Sequence, residues 1–148
     1  MRVFYFYSME AVYHTKLRLR IDWADLDLFG HVNNVAFFKY VQAARVNYCE
    51  RIGLTSVNDT SKHSFMVASS QCQFKKPLFY PGDLTVLCRV DWIKTTSIQL
   101  SYQIHDSNDS LVAEAIDVIV IFDHHQKSKV AVSAELRKEI EKTERCSF

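Results

Sequence analysis

Asp25-Leu-Asp-Leu-Phe-Gly-His-Val-Asn-Asn34 runs directly into Val35-Ala-Phe-Phe-Lys-Tyr-Val-Gln-Ala-Ala-Arg-Val-Asn-Tyr-Cys-Glu-Arg-Ile52, a run with no glycine or proline. Phe37, Val41, Ala44, Tyr48 and Ile52 recur at helical spacing and form one apolar stripe, which Val35 and Phe38 widen. The spacing predicts a helix from about Asn34 to Ile52. Asn33 or Asn34 suits its N-cap, and Gly53 suits the position just past its end. Ala43 and Ala44 at mid-helix allow close approach to a sheet.

On both sides of this helix the period changes to two. Upstream, Thr15, Leu17, Leu19, Ile21 and Trp23 alternate with Lys16, Arg18, Arg20 and Asp22, a half-buried strand whose basic side faces solvent. Downstream, after a polar loop from Val57 to His63, residues 65–76 read as a strand, with a turn at Pro81-Gly82-Asp83. Leu84, Val86, Cys88, Val90 and Trp92 share a face of the next strand, 84–93. Lys94-Thr95-Thr96 connects it to Ile98, Leu100, Tyr102 and Ile104, and Asp106 to Ser110 turns the chain again. Within the strand 111–122 both faces are largely apolar from Ile116 to Phe122, which predicts a central strand or one covered by a partner subunit. A polar helix at about 133–143 closes the chain. Strands arriving as hairpins around one long helix predict an antiparallel α+β domain.

With 148 residues, 48% of them hydrophobic and 24% charged, the chain is expected to form one domain over 1–148 with its core at about 13–143. A net charge of +1 argues against a nucleic-acid binder. Cys49, Cys72, Cys88 and Cys146 show neither CxxC nor metal-ligand spacing, as expected of spectator thiols in the cytoplasm. His124-His125 lacks a third ligand in spacing, so no metal is expected. The apolar opening Met1 to Ser8 is too short for a signal peptide or a spanning helix, and Met9 is a second candidate start.

Asp27 is a carboxylate in a tight turn just before a helix N-terminus. There, backbone N–H groups and the helix dipole favour an anion, such as the oxygen of an attacked carbonyl. Leu26, Leu28 and Phe29 are expected to wall the acid with apolar groups. Asp25 is expected to hydrogen-bond the turn backbone.

The Asp25-Leu26-Asp27 turn, Gly30, His31-Val32-Asn33-Asn34, the helix segment Phe38 to Tyr48 and the strand order resemble the hotdog-fold thioesterases. The closest resemblance is to the 4-hydroxybenzoyl-CoA thioesterase-like superfamily and its plant acyl-ACP thioesterase relatives. It implies a hotdog fold, a long central helix wrapped by an antiparallel sheet, and hydrolysis of an acyl-CoA without cofactor. It implies that Asp27 is the catalytic carboxylate, acting as nucleophile or general base, with the Asn34 N–H in the oxyanion hole. His31 matches a catalytic His of the plant-type enzymes, but Phe29 stands where those have Asn. Gly30 and Asn33 join the expected substrate-binding set, and Lys75 and Lys76 are candidates for the phosphates of coenzyme A. Phe38, Tyr48, Met66 and Val67 are candidates for the acyl wall. The resemblance further implies a homodimer or homotetramer with sites at the dimer interface. The alternatives are an acyl-ACP thioesterase, a non-catalytic acyl-binding module and, less favoured, a hotdog dehydratase or hydratase.

Overall fold

The computed structural model describes residues 11–54 and 63–148. The expectations for the N-terminal stretch, for Met9 and for most of the polar loop lie outside the described residues. Strand β1 (Thr15–Arg20) leads through a single 3-10 turn (Trp23–Asp25) to helix α1 (Asn34–Arg51). Strands β2 (Ser64–Phe74), β3 (Asp83–Ile93), β4 (Ser97–His105) and β5 (Leu111–Asp123) follow. A short β6 (Ser128–Lys129) and helix α2 (Ala134–Glu144) complete the described elements.

The sheet is antiparallel in the order β1-β3-β4-β5-β2, with β6 paired to β5. The jump from β5 back to β2 puts the strand after α1 at one edge, while β1 closes the other. This is the arrangement expected of a hotdog fold, one long helix lying against one sheet. β5 lies between β4 and β2, so the expectation of an interior strand holds.

Burial follows the alternation. Leu84, Val86, Cys88 and Val90 of β3 and Ile98, Leu100, Tyr102 and Ile104 of β4 are buried against α1, which contributes Phe37, Tyr40, Val41, Ala44 and Tyr48. The helix ends as its sequence requires. The Gly53 N–H donates to the Glu50 carbonyl at 3.1 Å and the Leu54 N–H to the Cys49 carbonyl at 2.9 Å. This is the paired bonding that needs a left-handed residue past the helix end, and Gly53 supplies it with φ of 73°.

Some face assignments change. Trp23 leaves the β1 face for the 3-10 turn and is exposed, because the strand stops at Arg20. Val35 and Phe38 do not widen the core stripe: both are exposed, and Ala36, Tyr40, Arg45 and Cys49 broaden it instead. Tyr48 is not an acyl wall. It is fully buried, and its hydroxyl donates to Glu144 Oε1 at 2.6 Å.

Two buried polar contacts cross the core. Arg45 Nη1 of α1 donates to Asp117 Oδ2 of β5 at 2.5 Å, and the Tyr102 hydroxyl donates to the same oxygen at 3.0 Å. Glu144 Oε1 also accepts from the Val90 N–H at 2.9 Å, so the last residue of the polar helix α2 is anchored inside.

Candidate active site

The turn before α1 is shaped by the Asp27 carboxylate itself. Asp27 Oδ1 accepts from the Phe29 N–H at 2.9 Å and from the His31 N–H at 3.1 Å. The Asp27 N–H donates to the His31 carbonyl at 2.7 Å, and Gly30, with φ of 79°, donates its N–H to the Asp27 carbonyl at 3.2 Å. Asp27 Oδ2 has no protein donor among the described residues. A bridge from Leu26 to Val32 closes the turn on itself, and one from His31 to Phe79 pins it to the segment after β2. The His31 ring meets Phe79 edge-on, with centroids 5.1 Å apart.

The main partners of Asp25 differ from expectation: it is Asp27 that bonds the backbone at the tip of the turn. Asp25 reaches the helix, where its carboxylate accepts from Lys39 Nζ at 2.7 Å and from the Tyr40 hydroxyl at 2.9 Å. Burial would raise the Asp25 pKa, but the hydrogen bonds from Lys39 and Tyr40 outweigh it and hold the group below the usual carboxylate range. Burial, with the same contact, pushes the Tyr40 hydroxyl well above its ordinary value. Nor do Leu28 and Phe29 wall the acid. They are 96% and 81% exposed at the tip of the turn.

Asn33 caps α1, its Oδ1 accepting from the Val35 N–H at 3.0 Å. That leaves the Asn34 N–H, at the first helical position, with no acceptor among the described residues. An amide left unmatched at a helix N-terminus is a ready donor to an anionic oxygen.

These groups border one open cleft of about 350 Å³ lined by Asp27, His31, Val32, Asn34, Phe37, Phe74, Lys75, Lys76 and Pro77. Of the residues singled out in the sequence, Asp27, His31, Asn34, Lys75 and Lys76 come together here; Gly30 and Asn33 shape the turn and the helix start without lining it. Lys75 Nζ is paired with Glu114 Oε2 at 2.9 Å. Sequence reasoning missed the floor of the cleft, where the Phe37 and Phe74 rings meet edge-on at 5.2 Å. Phe37 was legible as core and Phe74 as a strand end, but their meeting depends on where α1 crosses β2. Two larger clefts, of about 420 and 630 Å³, lie elsewhere. The first lies beside Leu54 and His63. In the second, Arg18 is already paired with Asp83 at 2.5 Å. Among the described residues no group of three metal-ligating side chains converges, and none of the helices is long and apolar enough to cross a membrane.

A family model described as the thioesterase-like superfamily matches residues 21–140. The chain belongs to the thioesterase-like superfamily. Superfamily membership agrees with the sheet order. Among curated relatives, the long-chain acyl-CoA thioesterase FadM of Escherichia coli (strain K12) is 22% identical over 125 residues, which cover 84% of this chain and 95% of that protein. The uncharacterized protein YsmA of Bacillus subtilis (strain 168) is 26% identical over 85 residues, 57% of this chain and 56% of that protein, so the chain spans little more than half the length of that relative. A thioesterase from Thermus thermophilus, solved in complex with coenzyme A and Zn, superposes with a TM-score of 0.81 at 22% identity, covering 92% of this chain and 98% of that one. At that identity the likeness shows the superfamily fold, the hotdog.

Proposed function

We propose that this chain hydrolyses acyl-CoA thioesters to the free acid and coenzyme A. The observation that carries this reading is the convergence of the Asp27 carboxylate and the unmatched Asn34 N–H on one cleft. The thioester carbonyl oxygen accepts from the Asn34 N–H, where the helix dipole adds to the polarisation. Asp27 keeps its turn through Oδ1 and acts through Oδ2. As nucleophile, it bonds to the carbonyl carbon, the C–S bond breaks, and coenzyme A leaves as thiolate; water then opens the mixed anhydride. As general base, it takes a proton from a water that attacks the same carbon. In both routes the proton ends on the departing thiolate or in solvent. His31 flanks the carbonyl as an orienting group, and Lys75 and Lys76 lie at the mouth, where coenzyme A phosphates would sit.

The long-chain acyl-CoA activity in FadM's name and the coenzyme A in the Thermus complex support the choice of carrier. We place the protein in the cytoplasm and read it as a homo-oligomer built on a dimer. Support for the dimer comes from β2, an edge strand whose Met66, Val67 and Phe74 are exposed.

Free-thiol release from a panel of acyl-CoAs tests the reading. Turnover is expected for the wild type and is expected to collapse in Asp27→Asn, with fold and oligomeric state unchanged. Undiminished turnover in Asp27→Asn would remove Asp27 from the mechanism, and no turnover on any acyl-CoA would remove the activity.

A further inference from the structure

The two groups of the site sit on different pieces of the chain. Asp27 belongs to the turn, and the Asn34 N–H belongs to α1. Their separation depends on what ties the turn to the helix. Residues 25–26 run antiparallel to 32–33: Leu26 bridges to Val32, and the Asn33 N–H donates to the Asp25 carbonyl at 2.7 Å. The side chain of Asp25 makes a second tie further along. Its carboxylate, only 10% exposed, accepts from Lys39 Nζ at 2.7 Å and from the Tyr40 hydroxyl at 2.9 Å. One residue therefore holds the helix at two levels, Asn33 and Lys39–Tyr40, about 9 Å apart along the axis. A single tie would leave the helix free to swing about it, whereas two ties fix distance and tilt together.

The brace continues into the core. The Tyr40 ring is buried and meets Phe37 edge-on with centroids 6.1 Å apart, and Phe37 meets Phe74 in the floor of the cleft. Tyr40 is thus held by packing, whereas Lys39, at the exposed surface, adds a weaker, screened pull. Asp25 itself does not line the cleft, so its effect is on geometry. An oxyanion donor acts within about 2.7–3.1 Å of the developing charge, and a misplacement of about 1 Å can cost about 100-fold in rate. Substrate affinity comes from the whole acyl-CoA and depends far less on that placement.

We propose that Asp25 is a positioning residue for the hydrolysis: it braces the Asp27 turn against α1 and so sets the separation between Asp27 Oδ2 and the Asn34 N–H. This inference rests on the acyl-CoA reading above, and its test separates the two. On the full chain, kcat and KM are measured with the acyl-CoA panel, Kd with the matching non-hydrolysable S-alkyl-CoA thioethers, and amide hydrogen exchange by NMR. In Asp25→Ala and in Tyr40→Phe, kcat falls by about tenfold or more, while KM and the thioether Kd stay within about twofold. Asp25→Asn, which keeps an acceptor for Tyr40, recovers most of the lost kcat. Exchange of the Asn33 N–H quickens in both brace variants by a larger factor than exchange in the middle of α1, which follows any general loss of stability. Should Asp25→Ala fail to fold, Tyr40→Phe, which removes a single hydroxyl, carries the test. A kcat within about threefold of wild type in the folded variants overturns the positioning role. So does a KM or thioether Kd that worsens in step with kcat, or Asn33 exchange that merely tracks the middle of the helix. Selectively quickened Asn33 exchange with no turnover of any acyl-CoA by the wild type upholds the brace and overturns the hydrolase.

Discussion

At Asp27 the two carboxylate oxygens have separate surroundings: Oδ1 holds the turn through the Phe29 and His31 N–H groups, and Oδ2 has no protein donor among the described residues. Asparagine keeps an acceptor for the turn and loses the base and nucleophile. Asp27→Asn should therefore melt within a degree or two of the wild type while kcat/KM on acyl-CoA falls by about 100-fold or more. Asp25 behaves differently, because its partners lie on α1. Its folded pKa is below the unfolded value, so its contribution is full above about pH 4 and is lost as pH falls through the folded value. Urea titrations should show Asp25→Asn less stable than wild type near pH 7, with the gap closing toward pH 2. Equal stability at pH 7 would mean that Lys39 and Tyr40 contribute nothing through it. Both acids were legible as a pair in the sequence, but the partners of their side chains were not. Which of two alternating carboxylates turns toward the backbone and which toward the helix depends on where α1 begins in space.

For the elements, the N-terminus of α1 concentrates structure and chemistry on adjacent residues. Asn33 caps the helix, and Asn34 presents the free amide. Asn33→Ala should cost about 1 kcal/mol of stability. If capping is the whole role of Asn33, Asn33→Asp should restore thermal stability and most of the kcat/KM together. A KM that stays raised in a fully stable Asn33→Asp would instead indicate direct contact with substrate. The helix and its Gly53 ending were readable because 3.6-residue spacing and a left-handed terminal residue are local requirements. The same holds for β4 and for β3 as far as Val90; Trp92, expected on the same face, lies past a register shift and is only half-buried.

In the whole molecule, stability depends on contacts between residues far apart in sequence. Arg45→Met alone strands Asp117 in the core and should cost about 3–5 kcal/mol, whereas the double replacement Arg45→Met with Asp117→Leu should cost much less. Chemical denaturation of the three proteins measures this non-additivity directly. Glu144→Ala removes the acceptor of both the Tyr48 hydroxyl and the Val90 N–H and should cost about 2–4 kcal/mol, with partial rescue by Glu144→Gln. No local pattern announced either contact. Arg45 and Glu144 are residue types that ordinarily face water, and only the crossing of α1 over β5, and of α2 beside β3, brings partners that make their burial tolerable.

By itself, the sequence determined the strand-helix-strands order, the antiparallel α+β class and the turn that sets a carboxylate before a helix start, because periodicity, caps and turn residues act within a few positions. Only the tertiary structure decided that β2 lies beside β5 at the sheet edge, that Phe37 meets Phe74 beneath Asp27, and that Arg45 and Asp117 share the core. Those outcomes follow from the packing of one helix on one twisted sheet, a long-range balance of buried area and paired charge.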